Sequence, residues 1–202
     1  MTSAALPSSG PLVLADVVPG ARVKDAVLVV GGAAFVGLLA QLSFPLAGTP
    51  VPVTMQTFGA LAVGAALGTW RGAFSLLIYL LVGAANLIPW FASGSGGGDV
   101  VGGPTFGYII GFVVAAAVAG RLAERGKDRR VVETLGLMLL GTATIFAIGV
   151  PWLAVSADLA AGAALEAGLW PFLPGAVLKI VLAAGLLPAV WAGVRAFRGD
   201  DA

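Results

Sequence analysis

The sequence contains no cysteine and no histidine. Without a thiol there is no disulfide, no thiolate metal site and no cysteine nucleophile. Without imidazole, serine–histidine hydrolase and zinc-protease chemistry are excluded. Charge is scarce as well: Asp, Glu, Lys and Arg make up 10% of the 202 residues, against about 25% in soluble domains. The formal net charge is +1, so no global field draws in nucleic acid. No phosphate-binding loop is present. The nearest string, GRLAERGKD at 120–128, has the wrong glycine spacing and no hydroxyl after its lysine. Any ATP-driven work belongs to another chain.

What fills the sequence is apolar, at 59% of residues. A globule of this length needs more charge to cover its surface in water. The chain therefore reads as an integral membrane protein whose solvent, and first partner, is the lipid bilayer.

Apolar segments predict helices at about 25–44, 55–69, 72–90, 105–123, 131–150 and 175–197. Most are near the ~20 residues that cross a bilayer. The second is short and carries Gly59, Gly64 and Gly68, which suits tilting or packing inside the bundle. Residues 1–24 read as a cytoplasmic tail, 25–198 as one transmembrane unit and 199–202 as a second tail. No basic region precedes the first apolar stretch, which argues against a cleaved signal.

Charge position tests this layout. Arg22 and Lys24 precede helix 1, and Arg71 lies between helices 2 and 3. Arg121, Arg125, Lys127, Arg129 and Arg130 fall between helices 4 and 5, and Arg195 and Arg198 end helix 6. All lie on one side if six helices alternate. The opposite loops, 45–54, 91–104 and 151–173, hold no Lys or Arg. The positive-inside rule then makes both termini cytoplasmic. The expected fold is all-α, a polytopic membrane protein with six transmembrane helices. A short extra helix is expected in the outer helix 5–6 connection, over 156–168 with Ser156 as its cap. It serves either as a lid or as a plain connector.

One basic residue breaks the pattern. Lys179 lies in the first turns of helix 6, roughly 7 Å below Pro174 at 1.5 Å per residue. A lysine near the membrane centre costs about 2.5–3.5 kcal/mol, and the positive end of the helix dipole disfavours it further. Either its stem snorkels to the outer headgroups, or it faces inward and supplies charge to an anionic ligand. Few polar groups accompany it in the outer half: Gln56 and Thr57 open helix 2, and Asn86 closes helix 3. Tyr79, Trp90, Phe91 and Tyr108 are candidate aromatic walls, with the interfacial belt as the other reading of Trp90. Such a pocket suits a small, largely apolar ligand. The glycine-rich run 94–103 is either a flexible linker or backbone exposed to a ligand. Ala33, Gly37 and Ala40 form a small-residue face on helix 1, for internal packing or for docking a partner.

Four stretches carry a family resemblance. Residues 50–67 read PVPVTMQTFGALAVGAAL, 103–112 read GPTFGYIIGF, 123–126 read AERG, and 171–179 read PFLPGAVLK. Together, in this order, they resemble the BioY family, the biotin-specific substrate-binding (S) components of energy-coupling-factor (ECF) transporters. The resemblance implies a non-enzymatic six-helix protein of the cytoplasmic membrane that captures biotin from outside. It implies two partners, a transmembrane coupling subunit and cytoplasmic ATPases, and no cofactor or metal. It places Lys179 in the biotin site and, more weakly, the polar residue near Asn86. Gln56, Thr57 and Asn86 are candidates for the ureido edge of the ligand, and Trp90, Phe91 and Tyr108 for its fused ring. It also tilts Ala33, Gly37 and Ala40 toward docking the coupling subunit. Two departures stand out. The family pattern has an aspartate three residues before the lysine, where this chain has Ala176, so Asp158, Glu166 or Asp99 substitutes or the lysine goes partly unpaired. Asn86 stands where the family favours glycine. Another vitamin-binding S component, or a stand-alone small-molecule carrier, is the alternative.

Overall fold

The computed structural model describes residues 13–17 and 22–198. The remainder of the expected N-terminal tail and residues 199–202 lie outside the described residues. The helices are α1 (Arg22–Ala40), α2 (Gln56–Leu67), α3 (Thr69–Ala84), α4 (Phe106–Ala123), α5 (Val131–Ser156), α6 (Ala161–Gly168) and α7 (Leu173–Arg198). A two-residue hairpin, β1 (Ser43–Phe44) against β2 (Val53–Thr54), closes the α1–α2 loop. The protein is all-α and membrane-embedded. Val23–Ala40, Phe106–Ala123, Val131–Ser156 and Ala161–Phe197 are long and apolar enough to cross a membrane. At 1.5 Å per residue α2 and α3 reach only ~18 and ~24 Å, short of the ~30 Å hydrocarbon core.

Helix α4 sits centrally, packed by α2, α3 and α5. Glycine makes that packing possible. A Cβ on Gly64 of α2 would fall 2.4 Å from the carbonyl oxygen of Ala116, and one on Gly120 of α4 would fall 2.4 Å from the Gly68 backbone. No side chain fits at either crossing. Gly68 also joins α2 to α3 with no loop between them, at φ 89°, a conformation that glycine adopts without steric cost.

The charged turns gather at one end of the bundle. Arg71 pairs with Asp16 at 2.9 Å and with Asp25 at 3.2 Å. This draws in residues 13–17, expected in a loose tail, as a 3-10 turn with Val13 and Ala15 buried. Glu124 Oε1 accepts the Thr69 N–H at 2.8 Å, capping α3 and placing a carboxylate at its positive end. Buried Asp128 accepts the Trp191 indole N–H at 2.6 Å, while the Arg129 guanidinium lies 4.5 Å from the same ring. That clasp ties the α4–α5 turn to α7.

Three boundaries differ from expectation. Helix α3 stops at Ala84, not near residue 90, because Asn86 adopts φ 54°. The Asn86 N–H donates to Gly83 O at 3.1 Å and the Leu87 N–H to Val82 O at 3.1 Å. These are the two bonds of a Schellman stop, with asparagine in the left-handed position. Helix α5 runs through Pro151 to Ser156. Pro151 forfeits one backbone bond there, which neighbouring helices make tolerable in a membrane bundle. Ser156 therefore ends α5 instead of capping the outer helix, and α6 covers only Ala161–Gly168.

Two pH trends of opposite sign follow. Burial pushes the Glu124 carboxyl up, but the Thr69 N–H and Arg121 outweigh it and hold it below the usual range. Its contribution is present above the unfolded pKa and is lost as pH falls. Glu124→Ala should cost about 1 kcal/mol near pH 7, and less near pH 4. Burial raises the Asp128 carboxyl, and the Trp191 and Arg129 contacts offset this only in part. Asp128→Asn should therefore raise the unfolding midpoint at pH 8, with the gain vanishing toward pH 4. Thermal unfolding in detergent across this range checks both, and effects independent of pH would contradict them. At the α3 stop, Asn86→Gly should be nearly neutral, whereas Asn86→Val should cost about 1–2 kcal/mol.

Candidate functional site

At the end of the bundle away from the charged turns, a cavity lies between α2, α4, α5 and α7. The hairpin builds its polar side. β1–β2 pairing, extended by the Met55 N–H on Leu42 O at 3.2 Å, fixes Thr54 directly before α2. Thr54 Oγ1 donates to Gln56 Oε1 at 2.9 Å and accepts the Gln56 backbone N–H at 3.3 Å. The Gln56 amide donates on to the Tyr79 hydroxyl. Tyr79 and Trp90 then brace each other, with the Trp90 indole N–H on Tyr79 O at 2.8 Å and ring centroids 5.3 Å apart.

Lys179 reaches into this framework from α7. Its ammonium donates to the Thr54 carbonyl and to Thr57 Oγ1, the latter at 2.9 Å. The side chain is half-buried and turned inward, so it does not snorkel outward. Among the described residues no carboxylate pairs with it; Asp99, Asp158 and Glu166 do not stand in for a partner at Ala176. An ammonium has three N–H donors. Two are taken by neutral oxygens, and the third is available to an acceptor in the cavity.

The rest of the wall is mostly apolar. Phe91 is 1% exposed and meets Tyr79 edge-on at 5.2 Å. Tyr108 stands perpendicular to Phe146 at 6.3 Å. Its hydroxyl donates to Gly168 O at 2.8 Å, which fastens α6 over this end of the bundle. Phe112 from α4 and Met138, Thr142 and Phe146 from α5 close the far side, and Ala176 and Phe172 flank Lys179.

Of the residues singled out from sequence, Gln56, Thr57, Phe91, Tyr108 and Lys179 line this one cavity. Tyr79 and Trp90 do not line it. They stand behind Gln56 as its support. Asn86 is exposed and serves as the α3 stop, with the glycine-rich loop packed on it: a Cβ on Gly96 would lie 2.8 Å from its Oδ1. Ala33, Gly37 and Ala40 all face inward, with Gly37 against the Trp90 ring, so these three are internal packing and not an open docking face. The small residues that α1 presents outward are Ala26, Gly31 and Ala34. Sequence reading missed the Thr54 carbonyl, although the segment 50–54 pointed to it. It also missed the α5 wall, for which an all-apolar helix gives no signal.

Comparison with known proteins agrees with this architecture. A protein of Rhizobium etli named biotin transporter BioY is 38% identical, over 78% of this chain and 86% of that one. A biotin transporter BioY of Rhodobacter capsulatus is also 38% identical, over 73% of this chain and 84% of its own length. The crystal structure of an S-component for biotin from an ECF-type ABC transporter superposes with a TM-score of 0.75 at 23% identity, covering 85% of this chain and 92% of that one. That likeness shows a shared fold. Residues 11–196 match the BioY family, and this chain belongs to the BioY family.

Proposed function

We propose that this chain captures biotin from outside the cell and carries it across the cytoplasmic membrane as the S component of an ECF transporter. Family membership and the names of its relatives support the ligand. The observation that carries the reading is Lys179, turned into the cavity and held by the Thr54 carbonyl and Thr57 with no counter-charge among the described residues. Its third donor takes an oxygen of biotin, either carboxylate or ureido. A charge-assisted bond in a dry site is about twice as strong as a neutral one. Phe91 and Tyr108 flank the fused ring, and Gln56 and Thr57 serve its polar edge. Residues 45–54 and 91–104 cover the site from outside, and their movement admits the ligand.

Topology follows from charge. The basic turns lie in the cytoplasm, and α2 and α3 complete the six spans by packing against α4 where each alone is short. The chain has no nucleotide-binding loop, so ATP hydrolysis belongs to separate ATPase subunits. A transmembrane coupling subunit transmits it, docking on the outward face of α1 at Gly31 and Ala34, where close helix approach in lipid is possible.

Isothermal titration of the purified protein should show saturable biotin binding at micromolar concentration or tighter. Lys179→Ala should weaken it about 100-fold and Thr57→Val about tenfold, both with the protein still folded. Absence of binding, or unchanged affinity in Lys179→Ala, would overturn the reading; a panel of labelled vitamins would then identify the ligand. With the coupling subunit and ATPases co-expressed, Gly31→Leu should abolish uptake and spare binding. Gly37→Leu, pressing on Trp90, should damage both.

A further inference from the structure

A second space adjoins the site. A groove of about 530 Å³ runs along the lipid-facing seam between α5 and α7 and ends under α6. Leu139, Ala147, Leu165 and Val177 border it, and among the described residues no charged one does. Thr142, Phe146 and Ala176 line both this groove and the ligand cavity. The partition is therefore one side chain thick, and on the α7 side it is only a methyl group. Ala176 lies three residues before Lys179, on the same helix face. A group held by the ammonium sits about one turn from this thin partition.

We propose that the site takes ligands longer than its own cavity, with an uncharged hydrocarbon tail passing Phe146 and Ala176 into the α5–α7 groove. The proposal rests on biotin binding at Lys179 with its carboxyl end toward the ammonium. The ligand class is carboxyl-extended biotin, in particular its N-alkyl amides. An amide carbonyl still accepts a bond from the ammonium, and the alkyl chain replaces lipid against an apolar wall. A charged tail is disfavoured, because the groove has nothing to pair with it.

Competition against labelled biotin on the purified protein tests this with three probes: biotin, N-hexyl biotinamide and biocytin, whose lysine end is charged. The hexylamide should bind within about tenfold of biotin, and biocytin at least tenfold more weakly than the hexylamide. Ala147→Phe fills the groove and does not touch the cavity. It should weaken the hexylamide at least tenfold and leave biotin unchanged; Val177→Phe repeats the test should the first variant fold poorly. If a lipid acyl chain holds the groove instead, the ratio of hexylamide to biotin will not respond to either variant, and the proposal fails. It also fails if the wild-type protein binds biotin but excludes the hexylamide. Loss of binding by all three probes would instead overturn the biotin reading, and this inference with it.

Discussion

The structure turns on one ammonium held at the end of a membrane bundle away from the charged turns, with no carboxylate beside it among the described residues. Burying a charge without compensation costs several kcal/mol. Here the compensation comes from two neutral oxygens, the Thr54 carbonyl and the Thr57 hydroxyl. A carbonyl and a hydroxyl offset only part of what water would supply. The lysine is therefore tolerated and not neutralised, and its third donor is left for an acceptor in the cavity.

Holding those two oxygens in place occupies much of this half of the bundle. The hairpin sets the direction of the Thr54 carbonyl, and Gln56 and Tyr79 hold Thr54 from behind. Trp90 locks Tyr79, and Gln41, just past the end of α1, reaches the Trp90 carbonyl at 3.1 Å. At the other end the chemistry is different. Ion pairs at Arg71, the Glu124 cap and the Asp128–Trp191 clasp join helix ends in a charged layer. Between the layers, glycine contacts bring α2 and α3 onto α4. The bundle is thus pinned at the charged end and shaped around one cation at the other.

Much of this was legible in the sequence, and what was not has a physical cause. Helix positions and the sorting of basic residues followed from hydropathy and charge, because the bilayer punishes any other arrangement. Lys179 stood out for the same reason. Asn86 misled because a polar residue at a helix end can bond a ligand or enter the left-handed region, and composition does not distinguish the two. Ala33, Gly37 and Ala40 misled because small residues permit close approach on either side of a helix. The α5 wall was silent because an apolar side chain facing a cavity reads like one facing lipid. The extension of α5 through Pro151 depended on tertiary contacts, among them the Trp152 indole N–H on Gly103 O at 3.0 Å.

The most direct measurement is an experimental structure of the protein with biotin bound. It should place the Lys179 ammonium about 3 Å from a biotin oxygen, with the contacts to Thr54 and Thr57 retained. An ammonium turned away from the ligand, or paired with a protein carboxylate in its presence, would contradict the account.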